Sequence, residues 1–185
     1  ILTVEEPIEF VHVPKRSTIV QREVGTDVHS YSDALNAATH QDVDVILVGE
    51  MRDLETIGLA LSAAETGVLV FGTLHTNSAA KSIDRMIDVF PVEQQNQIRT
   101  MLAESLRGVV SQALMRTKDG KGRIAAVEVL VRSTAISAAI REGQTSKIVS
   151  QMIAGKSLGM QLMDDVIQSY LDAGAITGET AYLYA

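Results

Sequence analysis

Polar side chains follow three short apolar stretches of the sequence, at the point where each stretch ends. Glu5 and Glu6 follow the first stretch, Glu50 follows the second, and Thr73 and His75 follow the third. Phosphoryl transfer requires a protein to position the reactants and to stabilise the charge that develops. One acid could orient the attacking water, a second could hold it or a metal-bound water, and a polar group could sense a terminal phosphate. Together the three positions favour this chemistry, although a buried strand that ends in a surface acid gives the same pattern at any one of them.

The apolar stretches have the composition of buried β-strands. They read Ile1-Leu2-Thr3-Val4, Val45-Ile46-Leu47-Val48 and Val68-Leu69-Val70-Phe71. Aliphatic runs without a polar break are typical of strands buried on both faces of a parallel sheet. Ligands of open α/β sheets bind beyond the carboxyl ends of the strands. We therefore expect the three groups of polar residues to lie along one edge of one sheet, where Arg16, Arg22 and Arg52 could supply positive charge.

Helical and strand patterns between these stretches predict the rest of an α/β fold. A half-exposed strand is expected at 18–24, a helix at 30–39 with an N-cap at Ser30 or Ser32, a helix after an N-cap at Asp53, a helix after Asn77 or Ser78, and a long helix at 92–107. Strands at 109–115 and 123–131 flank the turn Lys118-Asp119-Gly120-Lys121-Gly122, which has the composition of a β-hairpin turn.

The character of the sequence changes at residue 133. Only helical patterns follow, at 134–142, 145–154 and 160–173, with Gly174 as a stop. We therefore predict two domains. Residues 1–132 form a core of mostly parallel sheet flanked by helices, and residues 133–185 form a C-terminal helical subdomain.

Composition limits the partners that the chain can have. Its 185 residues carry 16 basic and 23 acidic side chains, a formal net charge of −7, without a basic run. Nucleic acid is therefore not expected as a partner, because its recognition favours a basic face. The sequence has no cysteine, and its histidines lack metal-ligand spacing, so no metal site is predicted. Without a signal peptide or ~18 consecutive apolar residues, the chain is expected to be cytoplasmic and not inserted in a membrane.

The motifs around the polar residues can be compared with those of known families. They read Thr3-Val4-Glu5-Glu6-Pro7-Ile8-Glu9-Phe10, Ile46-Leu47-Val48-Gly49-Glu50-Met51-Arg52-Asp53 and Gly72-Thr73-Leu74-His75-Thr76-Asn77. In this order they resemble the Asp box, the Walker B motif and the His box of the type II/type IV secretion ATPase superfamily, and the resemblance covers nearly the whole chain. It implies a RecA-like P-loop NTPase core, a homo-hexameric ring, and ATP with Mg²⁺ as substrate and cofactor.

The resemblance implies a role for each strand-end residue. Glu50 matches the catalytic glutamate of Walker B, Glu5 matches the Asp-box acid that helps to place water and magnesium, and His75 matches the histidine that couples nucleotide state to subunit movement. Gly49 stands where many P-loop enzymes have a magnesium-binding aspartate, so contact with Mg²⁺ is expected mostly through water.

The resemblance also implies nucleotide contacts. Arg16 and Arg22 match arginines that reach nucleotide phosphates, and Thr73 of the His box is expected beside them. Glu6 stands where the Asp box usually has aspartate; it keeps the charge on a longer arm. The phosphate-binding sequence G-x-x-x-x-G-K-[ST] does not occur in the chain. Because the chain also begins at Ile1 within a strand-like run, we expect a fragment whose P-loop, with the main magnesium ligands, lies upstream.

Two features favour the pilus-retraction (PilT-like) branch of the family. Pilus-extension and type II secretion members usually carry a four-cysteine zinc insertion where this chain has the short turn at 118–122. The segment 135–142 resembles the retraction motif Ala-Ile-Arg-Asn-Leu-Ile-Arg-Glu, with Ser137 for its first arginine and Arg141 for its second. This branch implies a motor for pilus retraction and twitching motility that acts on an inner-membrane platform protein from the cytoplasmic face.

Two alternatives stay open. The chain could belong to a type II secretion or pilus-extension ATPase without the zinc insertion. It could also be a non-catalytic fragment that assembles into rings or binds partners, because it has no P-loop. In either case the isolated chain is expected to be inactive in ATP hydrolysis.

Overall fold

The computed structural model of the protein describes residues 1–184. Its strands and helices, in chain order, are β1 (Leu2–Glu5), β2 (Val20–Glu23), α1 (Tyr31–Ala38), β3 (Val45–Val48), α2 (Leu54–Glu65), β4 (Leu69–Gly72), α3 (Ala79–Asp88), α4 (Val92–Ser105), β5 (Gly108–Arg116), β6 (Arg123–Val131), α5 (Thr134–Arg141), α6 (Ile148–Ala154), α7 (Met163–Asp172) and α8 (Gly178–Tyr184). Short 3₁₀ turns, Thr145–Lys147 and Lys156–Leu158, flank α6. Among the described residues, no helix combines the length and the apolar character needed to cross a membrane.

The elements form two compact units. The first comprises Ile1–His75 and Asp88–Ser105, and the second comprises Thr76–Ile87 and the described residues from Leu106 onward. The predicted boundary between residues 132 and 133 marks where strands give way to helices, at the junction of β6 and α5 inside the second unit. As a division into domains it stays a prediction.

A parallel sheet with the order β2–β1–β3–β4 forms the centre of the first unit. Leu2 pairs with Val20 on one side and with Ile46 on the other, and Ile46 pairs with Val70. Because the strands are parallel and in line, their carboxyl ends share one edge. The expected α/β fold with a parallel sheet flanked by helices is confirmed.

Burial differs between the three strands that the sequence predicts as buried. In β1 the consecutive residues Leu2, Thr3 and Val4 are all buried, so both faces are covered. In β3 the burial alternates between half-buried and buried residues. Strand β4 pairs on one side only and exposes Leu69 and Phe71. The prediction of complete burial is therefore right for β1 alone, because the burial of an apolar run depends on what packs on each face.

Several predicted helix boundaries are confirmed by capping bonds. The Ser30 hydroxyl accepts a hydrogen bond from Asp33 N (3.1 Å) at the start of α1, and the Asp53 carboxylate accepts one from Thr56 N (2.8 Å) at the start of α2. Ser78 Oγ accepts from Lys81 N (3.3 Å) at the start of α3. Each bond satisfies an N–H group that has no partner inside its helix.

The second unit is built on an antiparallel hairpin of β5 and β6, as the turn composition predicts. Helices α7 and α8 pack on it around Met115, Ala126, Ile167 and Ile176. The helix predicted at 160–173 begins only at Met163, because the residues before it pair with β6. Helix α8 was not predicted, since its seven residues are too few for a clear helical periodicity.

Glu128 of β6 joins the starts of two helices in the second unit. Its carboxylate accepts hydrogen bonds from Ala79 N (2.7 Å), the first residue of α3, and from Met163 N (3.2 Å), the first residue of α7. The residue is only 7% exposed. First-turn N–H groups carry partial positive charge and lack partners inside the helix. One buried carboxylate therefore attaches both helix starts to β6.

We expect Glu128→Ala to lower the free energy of unfolding by on the order of 3 kcal/mol, because two N–H groups lose a charged partner. Urea denaturation would measure the loss. The matched control is Glu179→Ala, which removes an exposed glutamate from the first turn of α8 and should cost less than about 1 kcal/mol. Equal losses in the two variants would contradict the role given to Glu128.

Candidate active site

Glu50 lies at the centre of a charged cluster in the first unit. Arg52 Nη2 lies 2.5 Å from one carboxylate oxygen, and His75 Nε2 lies 3.0 Å from the other. The side chain of Glu50 is 16% exposed, whereas those of Arg52 and His75 are 67% and 83% exposed. A hydrogen bond from His75 to a carboxylate requires the proton to be on Nε2. The structure thus brings together Glu50 and His75, which the sequence places after neighbouring strands, while their chemical roles stay predictions.

Arg52 lowers the pKa of the Glu50 carboxyl. Its hydrogen bond to Glu50 is the largest cause that lowers the pKa of this carboxyl, and its positive charge and His75 act in the same direction against desolvation. In return, Glu50 raises the pKa of Arg52. Glu50 is therefore a carboxylate at neutral pH and keeps its charge further into the acid range than an ordinary glutamate.

Thr73 connects the residues that follow β4 with those that follow β3. Its hydroxyl donates a short hydrogen bond to the carbonyl oxygen of Gly49, and its own carbonyl accepts one from Met51 N (3.0 Å). The two bonds hold the backbone on both sides of Glu50 and lie two residues before His75. The predicted contact of Thr73 with a nucleotide stays a prediction, since its hydroxyl is used here to position the loop.

Gly49 allows β1 and β3 to approach closely at their carboxyl ends. Its N–H donates to Val4 O at 2.8 Å. A Cβ atom at position 49 would lie 2.9 Å from Val4 O, 3.2 Å from Glu5 Cα and 3.2 Å from the Tyr31 hydroxyl. Since two of these neighbours are backbone atoms, any larger residue would push the two strands apart.

Glu5 has partners on both β1 and β2. Its Oε1 accepts hydrogen bonds from Thr3 Oγ1 (2.6 Å) and from Gln21 Nε2 (3.0 Å). Burial alone would raise the pKa of the Glu5 carboxyl, but the bonds from Thr3 and Gln21 and one from the backbone N–H of Glu9 outweigh it and lower the pKa. Glu5 is therefore a second carboxylate with a defined orientation at this edge of the sheet.

The other predicted site residues lie around this edge. Arg22 is half-buried on β2, where it pairs in register with Val4, and Arg16 is exposed in the segment before β2. Within residues 1–184 neither arginine makes an ion pair. Glu6 is exposed, and its charge adds to that of Glu50 in raising the pKa of Arg52. The structure thus leaves Arg16 and Arg22 outside the Glu50 cluster.

Tyr31 is a member of the site that the sequence does not reveal. The helical periodicity of the sequence predicts only that Tyr31 lies on the apolar face of α1, in the first turn. In the structure its hydroxyl faces Gly49. Burial first, and then the charges of Glu6 and Glu50, raise the pKa of the Tyr31 hydroxyl. It is therefore a neutral donor beside the carboxylates, and only the packing of α1 on the sheet could show this.

Ser137, which stands for the first arginine of the retraction motif, faces inward. It is buried in α5, and its hydroxyl accepts a hydrogen bond from Arg132 Nε (3.3 Å). Arg141 lies in the last turn of the same helix. The guanidinium that contacts Ser137 thus belongs to Arg132, the residue after β6.

The way in which the described residues would contact Mg²⁺ stays a prediction. Among residues 1–184, no three histidine or acidic side chains lie close enough to hold a metal ion together. Gly49 has no side-chain ligand, and both oxygens of Glu50 already have partners. Magnesium keeps several of its waters in protein sites. The expected contact with Mg²⁺ mostly through water also stays a prediction.

We expect Gly49→Ala to lower the free energy of unfolding by roughly 1–3 kcal/mol, because its Cβ would collide with the backbone of β1. The matched control is Gly58→Ala, where the Cβ would meet only the Phe90 ring at 3.9 Å in the middle of α2. Alanine favours a helix by up to about 1 kcal/mol over glycine, so this control should be neutral or stabilising. Urea denaturation measures both variants, and equal stability would contradict the close approach at Gly49.

Comparison with known proteins identifies the family of the chain. The family model described as "Type II/IV secretion system protein" matches residues 1–121. The twitching motility protein of Neisseria gonorrhoeae is 53% identical over 181 residues, which are 98% of this chain and 48% of that protein. The type IV pilus retraction ATPase PilT of Pseudomonas aeruginosa is also 53% identical over 181 residues, 98% of this chain and 52% of that protein.

Solved structures show the same fold. The crystal structure of the pilus retraction motor PilT with bound ADP matches with a TM-score of 0.92 and 47% identity, over 100% of this chain and 52% of that chain. The ATPase DotB of Legionella pneumophila matches with a TM-score of 0.86 and 30% identity, over 98% of this chain and 50% of that chain. The chain thus spans about half the length of the relatives that it matches, and it belongs to the type II/IV secretion system protein family.

Proposed function

We propose that this chain is the part of a type IV pilus retraction ATPase that carries the catalytic glutamate. The observation that carries the proposal is Glu50, an ionised side chain directly beyond an inner parallel strand and bound between Arg52 and His75. A glutamate in this position can orient a water for attack on a terminal phosphate. The names of the relatives, an ATPase and a retraction motor with bound ADP, support the same reaction.

Glu50 would orient the attacking water, and Arg52 is the partner that would move. Each oxygen of Glu50 has one partner and can accept a second hydrogen bond, so a water could bind beside Arg52 and His75 or take the place of one of them. Arg52 is the better candidate, because its side chain is largely exposed and a surface ion pair costs little to break. Its guanidinium would then be available to a phosphate, for which its planar set of donors is well suited. His75 would keep the other oxygen in place.

Arg16 and Arg22 would bind the phosphates of ATP. Both are outside ion pairs among residues 1–184, so their donors are available to an anion. Glu5 would help to place the water, with Glu6 beside it and Tyr31 as a neutral donor. Mg²⁺, when bound with ATP, neutralises phosphate charge.

The intact protein would be a ring of six subunits that acts on an inner-membrane platform protein from the cytoplasmic face. The isolated chain would not hydrolyse ATP, because its sequence contains no phosphate-binding loop. The retraction branch is supported by the tight turn between β5 and β6, where Thr117 N bonds to Gly122 O at 3.1 Å and leaves no place for a zinc insertion.

We expect Glu50→Gln in the intact protein to lower kcat for ATP hydrolysis by about 100-fold or more, because a neutral amide orients water poorly and accepts no proton. The KM for ATP should change much less. The matched control is Glu93→Gln, an exposed glutamate in the first turn of α4, which should hydrolyse ATP like the wild type. Equal rates in wild type and Glu50→Gln would overturn the assignment.

Deletion of the intact gene separates the retraction motor from an extension or secretion ATPase. Loss of a retraction motor should leave hyperpiliated cells that do not twitch, because assembly of pili continues without their removal. Pilus counts by electron microscopy and a twitching assay measure this. Cells without pili would instead favour the extension ATPase, and a plasmid-borne copy should restore the wild-type phenotype.

A further inference from the structure

Gln21 of β2 uses its whole side-chain amide to join two parts of the first unit. Its Nε2 donates to Glu5 Oε1 (3.0 Å) and to Phe10 O (2.9 Å), and its Oε1 accepts from His12 N (2.7 Å). A primary amide has two N–H donors and one oxygen acceptor. Rotation of the amide by half a turn would set an N–H against the N–H of His12. The three bonds therefore define one orientation.

The hydrogen bond from Gln21 to Glu5 orients the Glu5 carboxylate. Gln21 lies opposite Thr3 in the register of β1 and β2, and both side chains donate to the same oxygen of Glu5. A carboxylate held by two donors on neighbouring strands has little freedom to rotate. Removal of one donor would leave Glu5 free to turn and would weaken a hydrogen bond to a charged group.

The other two bonds hold the segment 6–19, which carries Arg16. The side chains of Phe10, Val11 and Val13 in this segment are exposed, so apolar burial contributes little to its position. Its path depends instead on polar bonds: Gln21 binds the backbone of Phe10 and His12, and Glu23 Oε2 accepts from Ile8 N at 3.0 Å. Gln21 therefore joins Glu5 to the Arg16 segment, in addition to the direct bond from Glu9 N to Glu5.

We propose that Gln21 is a positioning residue for ATP hydrolysis, which aims Glu5 through one donor and holds the phosphate-binding Arg16 segment through the rest of its amide. This inference rests on the proposed function. The inference predicts that loss of the bond to Glu5 lowers kcat, because Glu5 would act in the chemical step. Loss of the bonds to the segment 6–19 should raise the KM for ATP, because Arg16 would act in binding of ATP.

Two variants of the intact protein separate the two effects. Gln21→Glu keeps the acceptor for His12 N but loses both N–H donors, to Glu5 and to Phe10 O, and sets a second carboxylate against Glu5. We expect kcat to fall about tenfold, while KM rises less than in Gln21→Met because the bond from His12 N still holds the segment. Gln21→Met has a similar length and no polar atom at the amide. It should lower kcat and also raise the KM for ATP by about threefold or more. Steady-state ATPase kinetics measure both, and Gln97→Met, an exposed glutamine on α4, is the matched control.

Hydrogen exchange tests the bonds without any use of activity. Amide exchange at His12 should become faster in Gln21→Met and stay unchanged in Gln21→Glu, while α1 keeps its protection in both. The proposal is overturned if the two variants have the same kcat, KM and exchange as the wild type, or if both raise only KM. If Glu50→Gln is fully active but His12 still exchanges faster in Gln21→Met, the proposed function fails while the hydrogen-bond network stands.

Discussion

The close approach of β1 and β3 at Gly49 is the constraint on which the rest of the site depends. The Gly49 N–H continues the strand pairing by a hydrogen bond to Val4 O at 2.8 Å. The strands are so close here that a Cβ atom at position 49 would collide with the backbone of β1. Because Val4 pairs with Val48, Glu5 at the end of β1 and Glu50 just beyond β3 lie at the same edge of the sheet. Thr73 then ties the residues after β4 to the same backbone. Backbone hydrogen bonds therefore define the spacing of the strand ends, while the buried side chains of β1 and β3 hold the strands in the core.

The charged side chains on this backbone are bound to each other but remain accessible. Glu50 is largely shielded, whereas Arg52 and His75 are mostly exposed. Exposed ion pairs contribute little stability because water and salt screen them, so the same contacts can exchange for a ligand at low cost. Under the proposed function this accessibility would favour the binding of a phosphate, since a buried and fully paired cluster would resist opening.

The polar contacts of the two units differ in accessibility. In the second unit, Glu128 is buried and joins the starts of two helices to a strand, so its loss should be expressed as lost stability. In the first unit, Gln21 lies at the partly exposed edge of the sheet and joins a carboxylate to a segment with exposed side chains. Under the proposed function its loss should be expressed in the kinetics of ATP hydrolysis, because Glu5 and Arg16 would act on the nucleotide. Similar hydrogen bonds thus serve different purposes according to what they position.

The sequence by itself determined the strands, the caps at Ser30 and Asp53, the hairpin and the alignment of Glu5, Glu50 and His75, because these follow from local patterns and from the geometry of parallel strands. Only the tertiary structure decided which side chains meet. Several contacts depend on side-chain directions and on the distances at which elements pack. They are the bonds of Glu50 with Arg52, of Gln21 with Glu5 and of Glu128 with α3 and α7, and the approach of the Tyr31 hydroxyl to Gly49. No periodicity encodes those quantities, since they arise when separate elements pack together.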